Sequence, residues 1–300
     1  MRVFVTGASG HIGSAVVPEL LQAGHQVVGL ARSDASAAAL KAAGAEVRRG
    51  DLDDLEGLHA AAADSDGVIH LAFKHDFSDF LGSVESDRRA VEAIGEALVG
   101  SDKAFVGTSG SLMVAFVEGR LATEEDTLPA GPRIDAENYA IALAERGVRS
   151  SVIRLAPLVH SHLDTEGFTH HIIDCARKAG VSAYIGDGAN RWPGLHTLDA
   201  ARLYRLALEK APAGTRLHGV ADEGVSFREI AEVVGRHLDV PAKSITAEEA
   251  PAHFGFLAAF AGLDNATSSE LTQKTLDWKP EHPGLLADIA EGHYFADVQN

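Results

Sequence analysis

Short apolar runs alternate with helix-length amphipathic segments over the first half of the chain. The apolar runs are rich in branched residues and lie at 2–6, 26–31, 45–49, 67–71, 103–107 and 150–154. The segments between them, such as 11–23, repeat apolar residues at near-helical spacing. Strands separated by helices predict right-handed βαβ units on a parallel sheet that is covered on both faces. The predicted fold is therefore α/β, a Rossmann-like doubly wound parallel sheet.

The alternation becomes looser after about residue 155. Segments 167–179, 199–210 and 227–238 still have the pattern of helices, but the apolar runs between them shorten and Pro and Gly become frequent. Open α/β sheets bind ligands at the carboxyl ends of their strands. We therefore predict a cofactor-binding Rossmann core at 1–160. The remainder, 161–300, is predicted to be mostly a small C-terminal substrate-binding lobe, with some segments that return to the core.

The composition of the chain mainly excludes classes of binding partner. The 300 residues carry a formal net charge of −17, which argues against non-specific binding of nucleic acid. No apolar run reaches the roughly 18–20 residues that span a bilayer, so a membrane partner is not expected. The single cysteine, Cys175, excludes an internal disulfide and favours a reducing cytoplasm. The partner that remains is a small-molecule substrate.

The stretch VTGASGHIG places three glycines directly between the first predicted strand and the first predicted helix. Gly7 permits a tight turn, Gly10 lets backbone approach a pyrophosphate, and Gly13 lets the helix and strand pack closely. The start of the helix then offers N–H groups and a partial positive charge to an anion. The pattern predicts dinucleotide binding by Thr6, Gly7, Ser9, Gly10, His11, Ile12 and Gly13.

The end of the second predicted strand indicates which dinucleotide is bound. NAD sites commonly place an acidic residue there, whereas an arginine accommodates the 2′-phosphate of NADP. Here the sequence GLARSD puts Arg32 and Ser33 first and Asp34 only afterwards. Arginine grips a phosphate with two parallel charge-assisted hydrogen bonds. We therefore expect NADP(H) in preference to NAD(H), with Arg32 and Ser33 in contact with the cofactor.

Several further motifs, taken with TGxxGxxG, resemble the extended and atypical branches of the short-chain dehydrogenase/reductase superfamily, which are related to NAD-dependent epimerases and dehydratases. These motifs are GDLDD at 50–54, GVIHLAF at 67–73, VGTSGS at 106–111, IRLAPLVH at 153–160 and LDWKPEHPGL at 276–285. The resemblance implies cofactor contacts by Asp51, Leu52, Leu71, Ala72, Phe73 and Pro157. It also implies a possible homodimer formed through the helices at 83–98 and 133–146.

The catalytic tyrosine and lysine of that superfamily, which stand four residues apart, have no evident counterpart. Counting back from RLAP puts Arg133 at the tyrosine position and Glu137 at the lysine position, and no small shift yields Y-x-x-x-K. One interpretation is a surface ion pair between these two residues at i, i+4. The other places Arg133 in the pocket, where it binds a substrate carboxylate or a developing oxyanion. Tyr139 is expected to pack rather than to react.

Three other side chains are candidates for the chemistry. Thr108 and Ser109 end the fifth predicted strand and are positioned to polarise a substrate carbonyl, and His160 is a candidate proton donor at the pocket mouth. Histidines are numerous, but no metal-site frame accompanies them, so no metal is predicted.

The leading functional hypothesis is an NADP(H)-dependent oxidoreductase that reduces a small carbonyl or conjugated substrate with atypical catalytic residues. Two alternatives stay open. One is an NADP(H)-binding redox sensor or interaction protein without turnover. The other is an epimerase or isomerase-type enzyme that retains its cofactor.

Overall fold

A parallel sheet of seven strands forms the centre of the protein. The computed structural model describes residues 1–296. Its strands are β1 Arg2–Thr6, β2 Gln26–Ala31, β3 Glu46–Arg49, β4 Gly67–His70, β5 Ala104–Gly110, β6 Arg149–Leu155, β7 Leu158–His160, β8 Ser182–Ile185, β9 Arg191–His196, β10 Thr215–Gly219, β11 Asp222–Ser226 and β12 Ala242–Ile245. The seven strands of the main sheet run in the order β10-β6-β5-β4-β1-β2-β3, and every neighbouring pair is parallel.

Helices cover both faces of this sheet and build the remaining part of the molecule. They are α1 Gly13–Gln22, α2 Asp34–Ala42, α3 Leu55–Ala63, α4 Phe80–Leu98, α5 Ile134–Ala142, α6 Phe168–Ala179, α7 Thr197–Lys210, α8 Phe227–Leu238, α9 Ala250–Phe254, α10 Ala258–Ala261, α11 Glu270–Leu276 and α12 Leu285–Ala290. Within residues 1–296, none of the helices is long and apolar enough to cross a membrane.

The strand order reverses between β1 and β4. The chain moves outward from β1 to β3 on one side and from β4 to β6 on the other, so the connections that leave β1 and β4 diverge. Thr6 and His70 are register partners at the carboxyl ends of these two strands. Such a reversal opens a crevice that binds ligands in doubly wound sheets. The predicted fold class is confirmed.

The central strands of the sheet are buried because they place apolar side chains on both faces, whereas the edge strand β3, with the sequence EVRR, is partly exposed. In β1, Val3 and Val5 pack in a cluster with residues of α1 and α7, whereas Phe4 packs on the opposite face with residues of α3, α4 and α5. Successive side chains of a strand point to opposite faces, which explains this division. The crevice therefore has a rigid floor.

A smaller C-terminal lobe lies beyond the main sheet. Strands β7, β9 and β11 form a three-stranded sheet and β8 pairs with β12, while α6, α8, α9 and α12 surround them. The lobe has its own apolar cluster, in which Trp192, Phe227 and Phe254 meet edge to face. Several segments after residue 160 return to the core. Strand β10 pairs with β6, α7 packs against α1, and Leu276 and Trp278, at and just after the end of α11, join the same apolar cluster.

Candidate active site

The glycine-rich turn between β1 and α1 accepts only glycine at two positions. Gly7 has φ +65°, and a methyl group added there would lie 2.7 Å from the backbone nitrogen of Ala72. A methyl group on Gly13 would lie 2.1 Å from the carbonyl oxygen of Gly7. The turn closes with a hydrogen bond from Gly10 N–H to the Gly7 carbonyl at 3.0 Å. No side chain in residues 1–296 caps the start of α1, but Ser14 N–H already donates to the Gly10 carbonyl at 2.8 Å. The backbone N–H groups left for an anion are those of His11, Ile12 and Gly13.

A buried chain of hydrogen bonds supports this turn from below. Asp87 Oδ1 lies 3.2 Å from His70 Nε2, His70 Nδ1 lies 2.9 Å from Thr6 Oγ1, and Ala72 N–H donates to Thr6 Oγ1 at 3.2 Å. Because a carboxylate can only accept, His70 donates from Nε2 and accepts the Thr6 hydroxyl at Nδ1. The Thr6 side chain was predicted to contact the cofactor, but it is fully buried and holds the turn instead.

Two further residues of the turn also have structural contacts. The His11 ring points toward the C-terminal half of the chain, where Nε2 lies 2.8 Å from Thr197 Oγ1. Ile12 packs partly against the core cluster on the α1 side of the sheet. Ser9 and Gly10 are exposed. Contacts from His11 and Ile12 to a phosphate would therefore come from their backbone N–H groups.

Arg32 is exposed at the carboxyl end of β2. In the part of the chain that the structure describes, no hydrogen bond or ion pair engages its guanidinium. The side chains of the next two residues already have hydrogen-bond partners. Ser33 caps α2 by accepting from Ser36 N–H at 3.1 Å, and Asp34 accepts from Arg49 Nη2 at 2.6 Å. The Arg32 guanidinium is free to bind a phosphate, whereas the Asp34 carboxylate is already paired. This arrangement fits the 2′-phosphate of NADP better than the ribose hydroxyl of NAD.

The turn after β3 is held by Asp51, which accepts from the N–H groups of Asp53 at 2.8 Å and Asp54 at 3.2 Å. Leu52 is only 7% exposed and packs in the apolar cluster beneath this turn. Lys74 Nζ reaches Asp53 Oδ2 at 2.6 Å and ties the segment after β4 to the same turn. The adenine contacts predicted for Asp51 and Leu52 stay a prediction.

The segment after β4 brings an aromatic ring to the crevice. Leu71 N–H donates to the Thr6 carbonyl at 3.3 Å and continues the β1–β4 pairing. Phe73 then presents its face to the guanidinium of Arg133, whose carbon lies 4.1 Å from the ring centroid. A cation at this distance is attracted by the negative face of the ring. The cofactor contacts predicted for residues 71–73 stay a prediction.

Arg133, which counting back from RLAP puts at the superfamily tyrosine position, has an unusual backbone conformation. It is the residue before α5, and its φ of +63° is in the left-handed region that non-glycine residues rarely adopt. Its Nη2 donates to the carbonyl of Thr108 at 2.9 Å, while its Nε is buried and has no hydrogen-bond partner among residues 1–296. Such strain, which costs about 1–3 kcal/mol, is concentrated at functional sites.

Glu137 does not pair with Arg133. Its carboxylate is buried and receives Arg154 Nη2 at 2.5 Å and Arg216 Nε at 2.8 Å. Burial by itself would raise the pKa of Glu137, but these two guanidiniums hold that pKa below its ordinary value. The prediction of a surface ion pair between Arg133 and Glu137 is therefore wrong. The Arg133 side chain is directed into the crevice instead.

Thr108 or Ser109 was predicted to polarise a substrate carbonyl, and the two side chains project from opposite faces of β5. Thr108 Oγ1 lies 2.6 Å from the carbonyl oxygen of His70 and 2.7 Å from the hydroxyl of Tyr204 on α7. Ser109 is 5% exposed and shares the face of Gly107, whose substituent would point toward Ala140 of α5. The backbone carbonyl of Thr108 accepts from Arg133 Nη2. The polarising role of Thr108 or Ser109 stays a prediction.

His160 is not at the mouth of a pocket. Its ring is fully buried, and Nδ1 lies 2.9 Å from Asp288 Oδ2 of α12. The ring also meets His196 edge to face at 5.6 Å. A proton on His160 has no direct path to a substrate in the crevice, so the prediction of a mouth proton donor is wrong. Pro157 lies half-buried between β6 and β7.

The family assignment follows from comparison with known proteins. Residues 3–218 match the model of the NAD dependent epimerase/dehydratase family. The chain belongs to this family. It is 48% identical over 297 residues to an uncharacterized protein of Schizosaccharomyces pombe, covering 98% of this chain and 100% of the relative. It is 26% identical over 242 residues to a decarboxylating sterol-4-alpha-carboxylate 3-dehydrogenase of Dictyostelium discoideum, covering 76% of this chain and 73% of the relative.

A solved structure gives the same architecture. A double mutant of the dTDP-glucose 4,6-dehydratase DesIV from Streptomyces venezuelae, with NAD and DAU bound, has a TM-score of 0.77 at 18% identity. The match covers 99% of this chain and 98% of that one. Members of the epimerase/dehydratase family bind NAD(P), and the glycine turn, the uncapped start of α1 and the free Arg32 of this member fit such a dinucleotide.

Two residues behind the crevice, Tyr204 and Asp87, were not among the candidates predicted from the sequence. Tyr204 bonds Thr108 across 96 positions of sequence, and Asp87 bonds His70 across 17. The only signal in the sequence is that His70 interrupts the apolar run GVIHLAF. That signal does not identify the partner, because partners are set by how α4 and α7 dock on the sheet.

A histidine group joins the glycine turn to the C-terminal lobe. His196 caps α7 by accepting Leu198 N–H at its Nδ1, and its ring stacks on that of His282 at 4.6 Å. Burial, assisted by the neighbouring His160 and His282, lowers the pKa of His196 to about 4. Folding therefore favours the neutral form of the His196 imidazole.

This pKa predicts acid sensitivity. Between about pH 6.5 and pH 4 the unfolded chain binds a proton at residue 196 that the folded chain excludes, so stability is complete above this window and is lost as the pH falls through it. His196→Asn keeps a capping acceptor but cannot titrate. We expect the variant to lose less unfolding free energy than the wild type from pH 7 to about pH 4 in urea titrations.

His162→Asn is the matched control, since His162 is exposed and makes no contact in residues 1–296. It should show the same pH dependence as the wild type. An unchanged pH slope for His196→Asn would contradict the lowered pKa.

Proposed function

We propose that this member of the epimerase/dehydratase family is an NADP(H)-dependent oxidoreductase that reduces a small carbonyl or conjugated substrate without a Tyr-x-x-x-Lys pair. One observation carries the proposal. At the position of the superfamily tyrosine, Arg133 is held in a strained conformation between the Phe73 ring and the Thr108 carbonyl, with a buried Nε that has no partner. A buried charged donor without an acceptor is costly unless a ligand supplies the acceptor.

The residues that would hold the cofactor are those of the β1–α1 turn for the pyrophosphate and Arg32 for the 2′-phosphate. When bound, the nicotinamide supplies hydride to the substrate. Thr6, His70 and Asp87 would keep the turn in its observed shape, because their hydrogen bonds link β1, β4 and α4 in a buried chain. The Phe73 ring would form an apolar wall that limits the access of water.

Arg133 would bind and stabilise negative charge on the substrate. A fixed guanidinium aimed at a developing oxyanion is worth most in a site that excludes water. The nearby His75 stays neutral, because burial lowers its pKa and the charge of Arg133 lowers it further. The positive charge at this point of the crevice therefore favours substrates that carry a carboxylate, an enolate or a carbonyl that becomes an oxyanion.

The two other functions each have one observation in their favour. Tyr139, the only tyrosine near the expected position, donates to Glu96 on α4 at 2.7 Å and is not directed at the crevice, which would suit a binding protein without turnover. The relationship to an NAD-dependent dehydratase fold would suit an enzyme that retains its cofactor.

One assay separates the three functions. The protein is incubated with NADPH and a panel of aldehydes, ketones, quinones, enones and 2-oxo acids, while the near-ultraviolet absorbance of the reduced nicotinamide and the substrate are both followed. We expect steady oxidation of NADPH with at least one class, and a loss of about 100-fold in kcat/KM for Arg133→Ala. Substrate conversion without net oxidation would instead support the isomerase, and tight binding without any conversion would support the sensor.

Arg32 provides a test of the cofactor. Because its guanidinium is free, Arg32→Ala should weaken NADPH binding by about 10- to 100-fold, which corresponds to the loss of one or two charge-assisted hydrogen bonds. NADH, which lacks the 2′-phosphate, should bind the variant and the wild type within about twofold. Calorimetric titration measures both. Arg236→Ala, on an exposed and unpaired arginine of α8, is the control. Equal losses for both nucleotides would contradict the assignment.

A further inference from the structure

Tyr204 is a fully buried tyrosine whose hydroxyl ends at the crevice. Its side chain is 0% exposed, and α7 positions it against the sheet, with its oxygen 2.7 Å from Thr108 Oγ1. A buried tyrosine hydroxyl usually finds a partner. Here that partner is the hydroxyl of Thr108, a residue whose backbone carbonyl accepts from Arg133 Nη2 at 2.9 Å.

The direction of the hydrogen bonds follows from their acceptors. The carbonyl of His70 can only accept, so Thr108 donates its single proton to it at 2.6 Å. Thr108 Oγ1 must then accept from Tyr204, because its own proton is already used. The chain therefore runs from Tyr204 O–H to Thr108 O–H and ends on a backbone oxygen at the crevice.

We infer that Tyr204, acting through the hydroxyl of Thr108, supplies the proton that the substrate oxygen takes up during reduction. This inference rests on the proposed reductase function. Thr108 is half-buried, so its hydroxyl can turn from the His70 carbonyl to a substrate oxygen. Tyr204 is a positioning residue and proton source that does not itself touch the substrate.

The step balances as follows. A bound NADPH would supply the hydride that adds to the carbonyl carbon and would leave as NADP⁺, and the electron pair of the C=O π bond would move to oxygen. The Thr108 O–H bond breaks as that oxygen takes its proton, and the Tyr204 O–H bond breaks as Thr108 Oγ1 takes the tyrosine proton. The product is a neutral alcohol, Thr108 is again a hydroxyl, and Tyr204 is a phenolate. A water proton restores Tyr204 by the same path in reverse, through Thr108, once the product leaves.

Electrostatics agree with this assignment. Burial raises the pKa of Tyr204, which keeps it protonated at rest, and the charge of Arg133 acts in the opposite direction, favouring the phenolate that the transfer creates.

The other polar groups near the crevice are less suitable proton sources. Arg133 stays charged at all accessible pH values. Ser109 projects from the other face of β5, and His160 is buried against Asp288. Tyr139 bonds Glu96 on the outer face of α4.

A double-mutant cycle tests the relay on the full chain with NADPH and a substrate found in the panel. Tyr204→Phe and Thr108→Val should each lower kcat by about 100-fold or more, and the double variant should lose little beyond either single one, because both interrupt one path. Thr108→Ser keeps the hydroxyl and should retain kcat within about tenfold. Tyr139→Phe is the matched control and should retain the wild-type kcat.

Two readouts separate a relay from a packing role. In Thr108→Ser, the dissociation constant of NADPH and the midpoint of thermal unfolding should change little. The relay gives the wild type a solvent deuterium isotope effect on kcat, and this isotope effect should be altered in Tyr204→Phe. Additive losses in the cycle, or an unchanged kcat in Tyr204→Phe, would overturn the relay and leave the reductase standing. A wild-type protein that oxidises no NADPH with any compound would overturn both.

Discussion

Gly13→Ala is expected to reduce NADPH affinity by at least about 100-fold, or roughly 2.8 kcal/mol. The added methyl group would lie 2.1 Å from the carbonyl oxygen of Gly7, so either α1 or the turn must move. Either movement displaces the N–H groups that face the pyrophosphate. Calorimetric titration with NADPH measures the loss, and circular dichroism checks that the variant is folded.

Gly262→Ala is a suitable control for this substitution. A methyl group at Gly262 would lie 3.5 Å from Ile185 Cδ1, an ordinary contact, and the residue does not have a positive φ. The control should bind NADPH like the wild type. If Gly13→Ala also bound normally, the turn could not be the pyrophosphate site.

Arg154→Met is expected to destabilise the protein by about 3–5 kcal/mol. Arg154 is fully buried, donates twice to Glu137 from Nε and once from Nη2, and donates to the Asp126 carbonyl at 2.7 Å. Removing the cation leaves the Glu137 carboxylate buried with Arg216 as its remaining ion-pair partner. Urea unfolding followed by fluorescence gives the difference in free energy.

The exposed Arg120 offers a comparison within the same chain. It pairs with Asp126 at 2.5 Å, but its side chain is 55% exposed, so Arg120→Met should cost less than about 1 kcal/mol. Similar losses for the two variants would contradict the view that burial makes the Arg154–Glu137 pair costly to break.

The fold was predictable from sequence because it depends on local periodicity. Apolar runs of branched residues became β1 to β6, and the glycines at 7, 10 and 13 fell at the first strand–helix turn, as the phosphate-loop pattern requires. Boundaries moved by a few residues; for example, the helix predicted at 83–98 begins at Phe80. Local sequence is sufficient for these features since each strand and helix forms its pattern within about twenty residues.

The catalytic candidates were less predictable because their roles depend on register and on distant contacts. Thr108 and Ser109 are adjacent in sequence, and only the register of β5 decides which of them faces the crevice. His160 has a partner 128 residues away, so its burial could not be seen in VHSHLD. The left-handed backbone of Arg133 was also invisible, because an arginine gives no sign of a positive φ.

The most direct test of the proposed reductase function follows the hydride from NADPH to the product. NADPH that carries deuterium at both positions of nicotinamide C4 is incubated with the wild-type protein and the reactive carbonyl compound, and the product is examined by mass spectrometry. The account predicts one deuterium at the former carbonyl carbon of an alcohol, or at the β-carbon of a reduced enone, with one oxidised nucleotide for each product. Product without deuterium, or bound NADPH with no product from any compound, would contradict it.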